Sequence, residues 1–295
     1  MHLDPRPFVG RLRWIREYPV YREAPARFAL RTLRFTLGEQ LAAGNGHGGR
    51  FEFAACDGRI FTTPPNNVSS FIAAVFGQRD MHVFRFWQRA LKPGSVFFDV
   101  GANIGLYAVP ACQVVGPAGR VVCFEAHPST YAFLARNLAR NGNGGVTAEN
   151  MAVGSGPGEI RIAFDPRNPG ETHIARGAER GDSVAMVSLD DYCARKEIAR
   201  IDYLKIDVEG YETEVLRGAR SIIAASEAIL IQTEYEPKHL ERYGDPTALT
   251  ALLSGWGLKP HQLAWEDGSP SRIDSLIDYS GEIIWSRRDL TQAAA

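Results

Sequence analysis

The stretch "VFFDVGANIGLYAV", residues 96–109, sets the reading of the whole chain. An apolar run ends on Asp99, Gly101 and Gly105 bracket Asn103, and a helical pattern runs on from Asn103. In open α/β sheets a strand that breaks into a glycine turn and then a helix builds nucleotide-type sites. The pattern here is Asp-x-Gly-x-Asn-x-Gly. It lacks the G-x-G-x-x-G spacing by which glycines admit a pyrophosphate, because residue 103 is Asn and residue 104 is Ile. It carries a carboxylate just before the turn, which suits a ligand with an amine or cation better than a pyrophosphate.

From residue 95 onward, strand and helix patterns alternate. Strand "GRVVCFE" (119–125) leads to helix "PSTYAFLARNLARNG" (128–142), where Tyr131, Leu134 and Leu138 recur at helical spacing and Gly142 is the stop. Strand "VTAENMAV" (146–153) follows. Two shorter strands, 159–164 and 183–188, flank a loop. Then come helix "LDDYCARK", strand "DYLKID" (202–207), helix "YETEVLRGARSIIA", strand "AILIQTE" (228–234), a helix over 246–254, and strands over 257–265 and 281–286. Near-continuous apolar strands between helices predict a doubly wound, mostly parallel α/β sheet. The last two strands are joined by a helix-free, turn-rich loop, which predicts an antiparallel edge.

Upstream, residues 1–90 read as a helical and hairpin extension to a domain over 91–290. Leu30, Leu33, Leu37 and Leu41 stand at helical spacing, and Gly44 is the stop. Arg6, Arg11, Arg13, Arg16, Arg22, Arg27, Arg31 and Arg34 crowd this region; the reading is a helix packed on the main domain, which could also build a homodimer. "GNGHGGR" (44–50) is a break, "GRFEFAACDGRIFTT" is a hairpin about Asp57-Gly58, and a helix covers 80–91.

The chain has 295 residues, 45% of them hydrophobic, and a formal charge of −1. That gives no global electrostatic case for nucleic acid. No apolar run approaches the roughly 18 residues of a membrane span, and "MHLDPRPFVG" has no apolar signal core. The four cysteines form no CxxC pair, and Cys112 and Cys123 fall in apolar patterns. The expected setting is a reduced one, the cytoplasm.

Glu125 ends the second strand, where a carboxylate can accept both ribose hydroxyls of an adenosine. NAD and S-adenosylmethionine share that feature. Asp99, the Gly101/Gly105 turn and Glu125 together favour S-adenosylmethionine, which has a ribose, an adenine, an amino acid tail and a sulfonium but no phosphate.

"DVGANIG", "GRVVCFEAHP", "AVGSGPGEI", "VSLDDY" and "YLKIDVEGYETEVLRGA" together resemble the FkbM-type methyltransferases, in that order and at similar spacing, over about residues 90–235. The last stretch is the most specific. The resemblance implies a class I, Rossmann-like S-adenosylmethionine-dependent fold and O-methylation of hydroxyls on natural products or sugars. It implies that Asp99, Gly101, Asn103 and Gly105 cradle the methionine part, that Glu125 with Ala126 meets the ribose, and that the backbone over Asn150 to Ala152 borders the adenine. The family usually has Glu-Pro where this chain has Glu125-Ala126-His127-Pro128.

In "YLKIDVEGYE", strand alternation puts Lys205 and Asp207 on one face. A lysine in an apolar strand must be paired, and Asp207 is its nearest candidate, with Glu209 just beyond. Methyl transfer to an aliphatic hydroxyl needs alignment and a route for a proton. Neighbouring carboxylates keep a lysine charged, so Asp207 is the better base and Lys205 its orienting partner. The second route is a divalent metal. Strands 202–207 and 228–234 should be neighbours, so Asp207 and Glu234, with Glu209 or Glu236, could offer oxygen ligands to Mg²⁺. His173, in the Gly/Pro/Arg loop, is a further candidate base. Trp256, Trp265 and Trp285 read as core rather than as a sugar platform. The alternatives kept open are an N-methyltransferase, an NAD-dependent oxidoreductase or epimerase, and a binding module that retained the fold.

Overall fold

The computed structural model describes Val9, Arg11 and residues 24–44, 49–55, 58–75, 81–142, 144–164, 172–175 and 179–294. Arg6, Arg13, Arg16, Arg22, the centre of the glycine break, Cys56, Asp57 and most of the loop over 165–182 lie outside the described residues. Among the described residues no helix is long and apolar enough to cross a membrane.

The N-terminal part comprises helix α1 (Pro25–Ala43), the antiparallel hairpin β1 (Phe51–Ala54) and β2 (Ile60–Thr63), helix α2 (Val68–Val75) and helix α3 (Met81–Ala90). Helix α1 forms as expected, but it turns a different face inward. It buries Phe28, Thr32, Phe35, Glu39 and Ala42, while Leu30, Leu33 and Leu41 are exposed. Both stripes have helical spacing. The inward one carries the aromatic rings, which bury more area: Phe35 packs edge-on against Phe51, Phe53 and Phe71 at 5.0–5.7 Å. Glu39 is buried with them because Arg11 reaches its carboxylate at 2.8 Å.

The main sheet begins with β3 (Val96–Val100), and helix α4 (Ala108–Val115), β4 (Arg120–Phe124), helix α5 (Pro128–Asn141) and β5 (Val146–Glu149) follow. Next come β6 (Ala152–Val153), β7 (Gly158–Phe164), β8 (Thr172–Ile174), β9 (Asp182–Val187), helix α6 (Leu189–Arg195), β10 (Tyr203–Ile206), helices α7 (Glu212–Arg217) and α8 (Arg220–Ala225), and β11 (Leu230–Tyr235). Helices α9 (Pro237–Leu240) and α10 (Thr247–Gly255) and strands β12 (Lys259–Leu263), β13 (Pro270–Arg272) and β14 (Gly281–Ser286) complete the fold.

Among the described residues these strands form an eight-stranded sheet, ordered β13-β12-β14-β11-β10-β3-β4-β5, and a four-stranded sheet, β6-β9-β7-β8. Strands β11, β10, β3, β4 and β5 run parallel, and β14, β12 and β13 join antiparallel. The doubly wound sheet and its antiparallel edge are therefore as expected. Strand order reverses between β3 and β10, and such a switch point opens a crevice at the carboxyl ends of the strands.

Three expected elements are broken up. The helix after β3 starts at Ala108, not Asn103, because Asn103 (φ 49°) and Gly105 (φ 92°) are left-handed. The strand over 146–153 divides between the two sheets: Asn150 donates to the carbonyls of Glu125 and Ala126, both at 2.9 Å, and turns the chain. The helix over 211–224 breaks at Gly218, which lies so close to the Gly154 carbonyl that an added Cβ would sit 2.0 Å from it.

Alternation on β3 and β10 sorts the core. Phe98, Val100, Leu204 and Ile206 face one cluster. Phe97 and Tyr203 face the other, stacked at 5.0 Å beside Trp87 and sharing that cluster with Phe28, Phe35 and Phe53 from the N-terminal part. On this second face the next residues towards the crevice are Asp99 and Lys205. Cys112, Cys123 and Cys193 are buried.

Candidate active site

The turn after β3 is built by close backbone approach. Gly101 and Ala102 donate to the Phe124 carbonyl at 3.0 and 2.9 Å. Gly101 has φ 81°, and a Cβ there would sit 1.9 Å from the carbonyl oxygen of Asp207. The glycine is thus required where the ends of β3 and β10 meet. The turn then aims the Asn103 N–H at Glu125 Oε2, 2.9 Å away, while His127 N–H reaches Oε1 at 2.9 Å. The residues inserted before Pro128 supply that second donor. Burial pushes the Glu125 carboxyl up to about 7, against the pull of these two N–H groups. Each carboxylate oxygen keeps capacity for a further donor.

At the end of β10, Lys205 Nζ lies 3.0 Å from Asp207 Oδ2, 3.8 Å from Asp99 Oδ1 and 4.4 Å from the centre of the Tyr107 ring. Register pairs Lys205 with Asp99 across the switch point. Burial disfavours the ammonium, but Asp207 and Asp99 outweigh it and hold its pKa above the usual lysine range. The two carboxylates thus favour the charged form of Lys205. Burial raises Asp99 to about 6, opposed by Lys205. Beyond Asp207, the loop is closed by Glu212, whose Oε1 accepts from Val208 N–H at 3.0 Å and Gly210 N–H at 3.2 Å.

Two adjoining cavities open here. The first is walled by the glycine turn, by Glu125, by Met151 and Ala152 after β5, by Ile160 and Ile162 of the small sheet, and by Val208 and Tyr211. The second lies between the N-terminal part and the antiparallel edge, among His82, Phe84, Glu234, Trp265, Tyr279 and Glu282. Ser69, Leu106, Tyr107 and Asp207 line both.

Of the residues singled out in the sequence, Gly101, Asn103, Glu125, Ala126, Ala152, Lys205, Asp207 and Glu209 converge on the first cavity. Asp99, Gly105 and Asn150 do not line it. Asp99 is fully buried behind Lys205, Gly105 packs under Leu134, and Asn150 holds loop carbonyls. His173, on β8, also lines the first cavity, 3.0 Å from Glu179, and does not line the second. The expected oxygen cluster is rearranged. Asp207 is taken by Lys205; instead Glu209, Glu234 and His239 bring one ligand atom each within 4.8 Å of one another. His239 Nδ1 is 3.2 Å from Glu209 Oε2 and 3.9 Å from Glu234 Oε2.

Sequence reading missed His239, Glu212, Tyr107 and Trp265. Glu212 stands inside the quoted "YLKIDVEGYE" motif, four residues after Val208 at a helix start, where a capping carboxylate is expected. The other three carry no local signal. Trp265 is not core: it is 54% exposed at the second cavity, whereas Trp285 is fully buried as expected.

A sequence model of the methyltransferase FkbM domain matches residues 99–260, more than half of the chain. The hexuronic acid methyltransferase AglP of Haloferax volcanii is 27% identical over 178 residues, which cover 60% of this chain and 68% of that one. The 31-O-demethyl-FK506 methyltransferase FkbM of Streptomyces tacrolimicus is 32% identical over 159 residues, which cover 43% and 60%. Among solved structures, an O-methyltransferase from Bacillus cereus in complex with SAH is 13% identical, with a TM-score of 0.42 over 69% of this chain and 80% of that one.

Proposed function

The chain belongs to the FkbM methyltransferase family, and we propose that it transfers a methyl group from S-adenosylmethionine to a hydroxyl of a small molecule. The observation that carries this reading is the position of Asp207. It lines both cavities, and the buried Lys205 cation holds it at 3.0 Å.

The first cavity fits the cofactor in kind. Its lining includes the buried carboxylate of Glu125, able to accept ribose hydroxyls, and Met151, Ile160 and Ile162, apolar walls suited to an adenine. When bound, S-adenosylmethionine supplies an electrophilic methyl group. The chain's own residues do the rest. Glu125 accepts the ribose hydroxyls. The backbone of the turn over 101–103 borders the methionine part, with Asp99 acting only through Lys205. Asp207 takes the acceptor's hydroxyl proton, and Lys205 fixes the carboxylate and offsets its charge. Leu106 and Tyr107, shared by the two cavities, keep bulk water from the point of transfer.

Calorimetric titration with S-adenosylhomocysteine tests the cofactor. Wild type is expected to bind it and not NAD, and Glu125→Ala to bind it at least tenfold more weakly. Asp207→Asn is expected to lower kcat by about 10²- to 10⁴-fold with little change in that affinity. Near-wild-type turnover would remove Asp207 as the base.

The cluster Glu209–Glu234–His239 favours one second reading, in which a divalent ion such as Mg²⁺ acidifies the hydroxyl. Its donors would be two carboxylates and an imidazole, without Asp207. Chelation and Mg²⁺ add-back separate the two readings. An unchanged rate leaves the proton with Asp207; a rate lost and restored assigns it to the metal.

A further inference from the structure

The two cavities that meet at Asp207 differ in chemistry. Among the described residues that line the second, three are carboxylates, Asp207, Glu234 and Glu282, and none is lysine or arginine. Lys205 stands beside Asp207 on the first cavity's side and offsets its charge. Glu282 accepts from the Tyr107 hydroxyl at 3.1 Å, and Glu234 lies 3.9 Å from His239. Carboxylates only accept hydrogen bonds, so this wall rewards O–H and N–H donors. An anion here would meet repulsion in a recess where water screens weakly.

The same cavity carries an aromatic platform. Trp265 is 54% exposed, and its ring centre lies 4.8 Å from that of His82. The loop that presents it is held against α3. Gly268 (φ 73°) approaches so closely that a Cβ would sit 2.1 Å from the His82 carbonyl, and the Arg85 guanidinium donates to the Glu266 carbonyl. Gly268 N–H closes the turn on the Ala264 carbonyl at 2.8 Å. The indole is thus held in place before any ligand arrives.

We propose that the second cavity is the acceptor site, and that it selects an uncharged or amine-bearing polyhydroxylated ring of glycosyl size against anionic ones. The ring's C–H face lies on Trp265, its hydroxyls donate to Glu234 and Glu282, and the hydroxyl to be methylated faces Asp207. This rests on the methyltransferase reading above.

The test uses the full chain loaded with S-adenosylhomocysteine for binding, and methyl-labelled S-adenosylmethionine for transfer. The acceptors are the methyl glycosides of glucose, galactose and mannose, their 2-amino-2-deoxy forms and the matching uronic acids. Saturation-transfer NMR reads binding and label incorporation reads transfer. The neutral and amino glycosides are expected to bind and be methylated, with the uronic acids at least tenfold poorer. Trp265→Ala is expected to raise KM about tenfold, with kcat and S-adenosylhomocysteine affinity nearly unchanged, and Trp265→Phe to restore much of the loss. Glu234→Gln with Glu282→Gln is expected to narrow the discrimination against uronic acids. The proposal is overturned if uronic acids bind as well as their neutral partners. It is equally overturned if no neutral or amino glycoside binds a protein that does bind S-adenosylhomocysteine, or if Trp265→Ala leaves KM unchanged. Failure to bind S-adenosylhomocysteine would instead remove the methyltransferase reading, and this proposal with it.

Discussion

Single residues at the crevice carry charges that burial makes costly, and each is compensated in a readable way. Glu125 accepts two backbone N–H groups, yet burial still lifts its carboxyl to about 7 from an ordinary 4.5. The folded chain therefore keeps this proton to higher pH than the unfolded chain does. The stability it contributes is full below the ordinary value and falls as pH rises to about 7. Ribose hydroxyls need the ionised form, so S-adenosylhomocysteine binding should strengthen about tenfold between about pH 6 and about pH 8. Glu125→Gln should flatten that dependence, and calorimetry at the two pH values reads both. Lys205 presents the opposite case, a buried cation between two carboxylates. Lys205→Met should cost about 3–5 kcal/mol in urea unfolding by stranding Asp99, and adding Asp99→Asn should recover part of it. If the double variant is no more stable than the single one, Asp99 and Lys205 are not the coupled pair that their 3.8 Å separation and register imply.

Elements meet at the site through a few polar clasps. Asn137 of α5 is fully buried. It accepts the Thr62 N–H at 2.7 Å and donates to the carbonyls of Thr62 at 3.0 Å and Ile104 at 2.9 Å, joining the hairpin to the glycine turn. Asn137→Ala leaves those groups without partners and should lower stability by about 2–3 kcal/mol, measured as a shift in the urea midpoint. The glycine turn is a clasp of another kind. Its spacing is plain in "DVGANIG", and so is the presence of a turn. What demands Gly101, however, is the Asp207 carbonyl, more than a hundred residues away in sequence. Gly101→Ala is expected to abolish S-adenosylhomocysteine binding or folding outright. Retained binding would mean that the ends of β3 and β10 can part.

For the molecule as a whole, ligand binding and stability should be linked. S-adenosylhomocysteine at about a hundred times its Kd should add about 2.7 kcal/mol of stability, raising Tm in wild type and by about half as much or less in Glu125→Ala at the same concentration. The N-terminal part should share that transition, because Phe28, Phe35 and Phe53 lie in one core cluster with Phe97 and Tyr203 of the sheet. A separate early transition untouched by ligand would contradict this.

The sequence by itself determined the layered α/β class, the alternation of strands and helices from residue 95 and the antiparallel edge, and it singled out Glu125, Lys205 and Asp207 as site candidates. Each rests on a local signal: an apolar run, a helical stripe, a glycine turn, or a charge inside a strand that has to be paired. Only the tertiary structure decided which stripe of α1 faces inward, since both have helical spacing and only packing against Phe51, Phe53 and Phe71 selects the aromatic one. It likewise decided that Asp99 lies behind Lys205, that His239 joins Glu209 and Glu234, and that Trp265 stands open at a second cavity. These are meetings between segments far apart along the chain. Their distances are fixed by how strands pair and layers pack, and no periodicity within one segment encodes them.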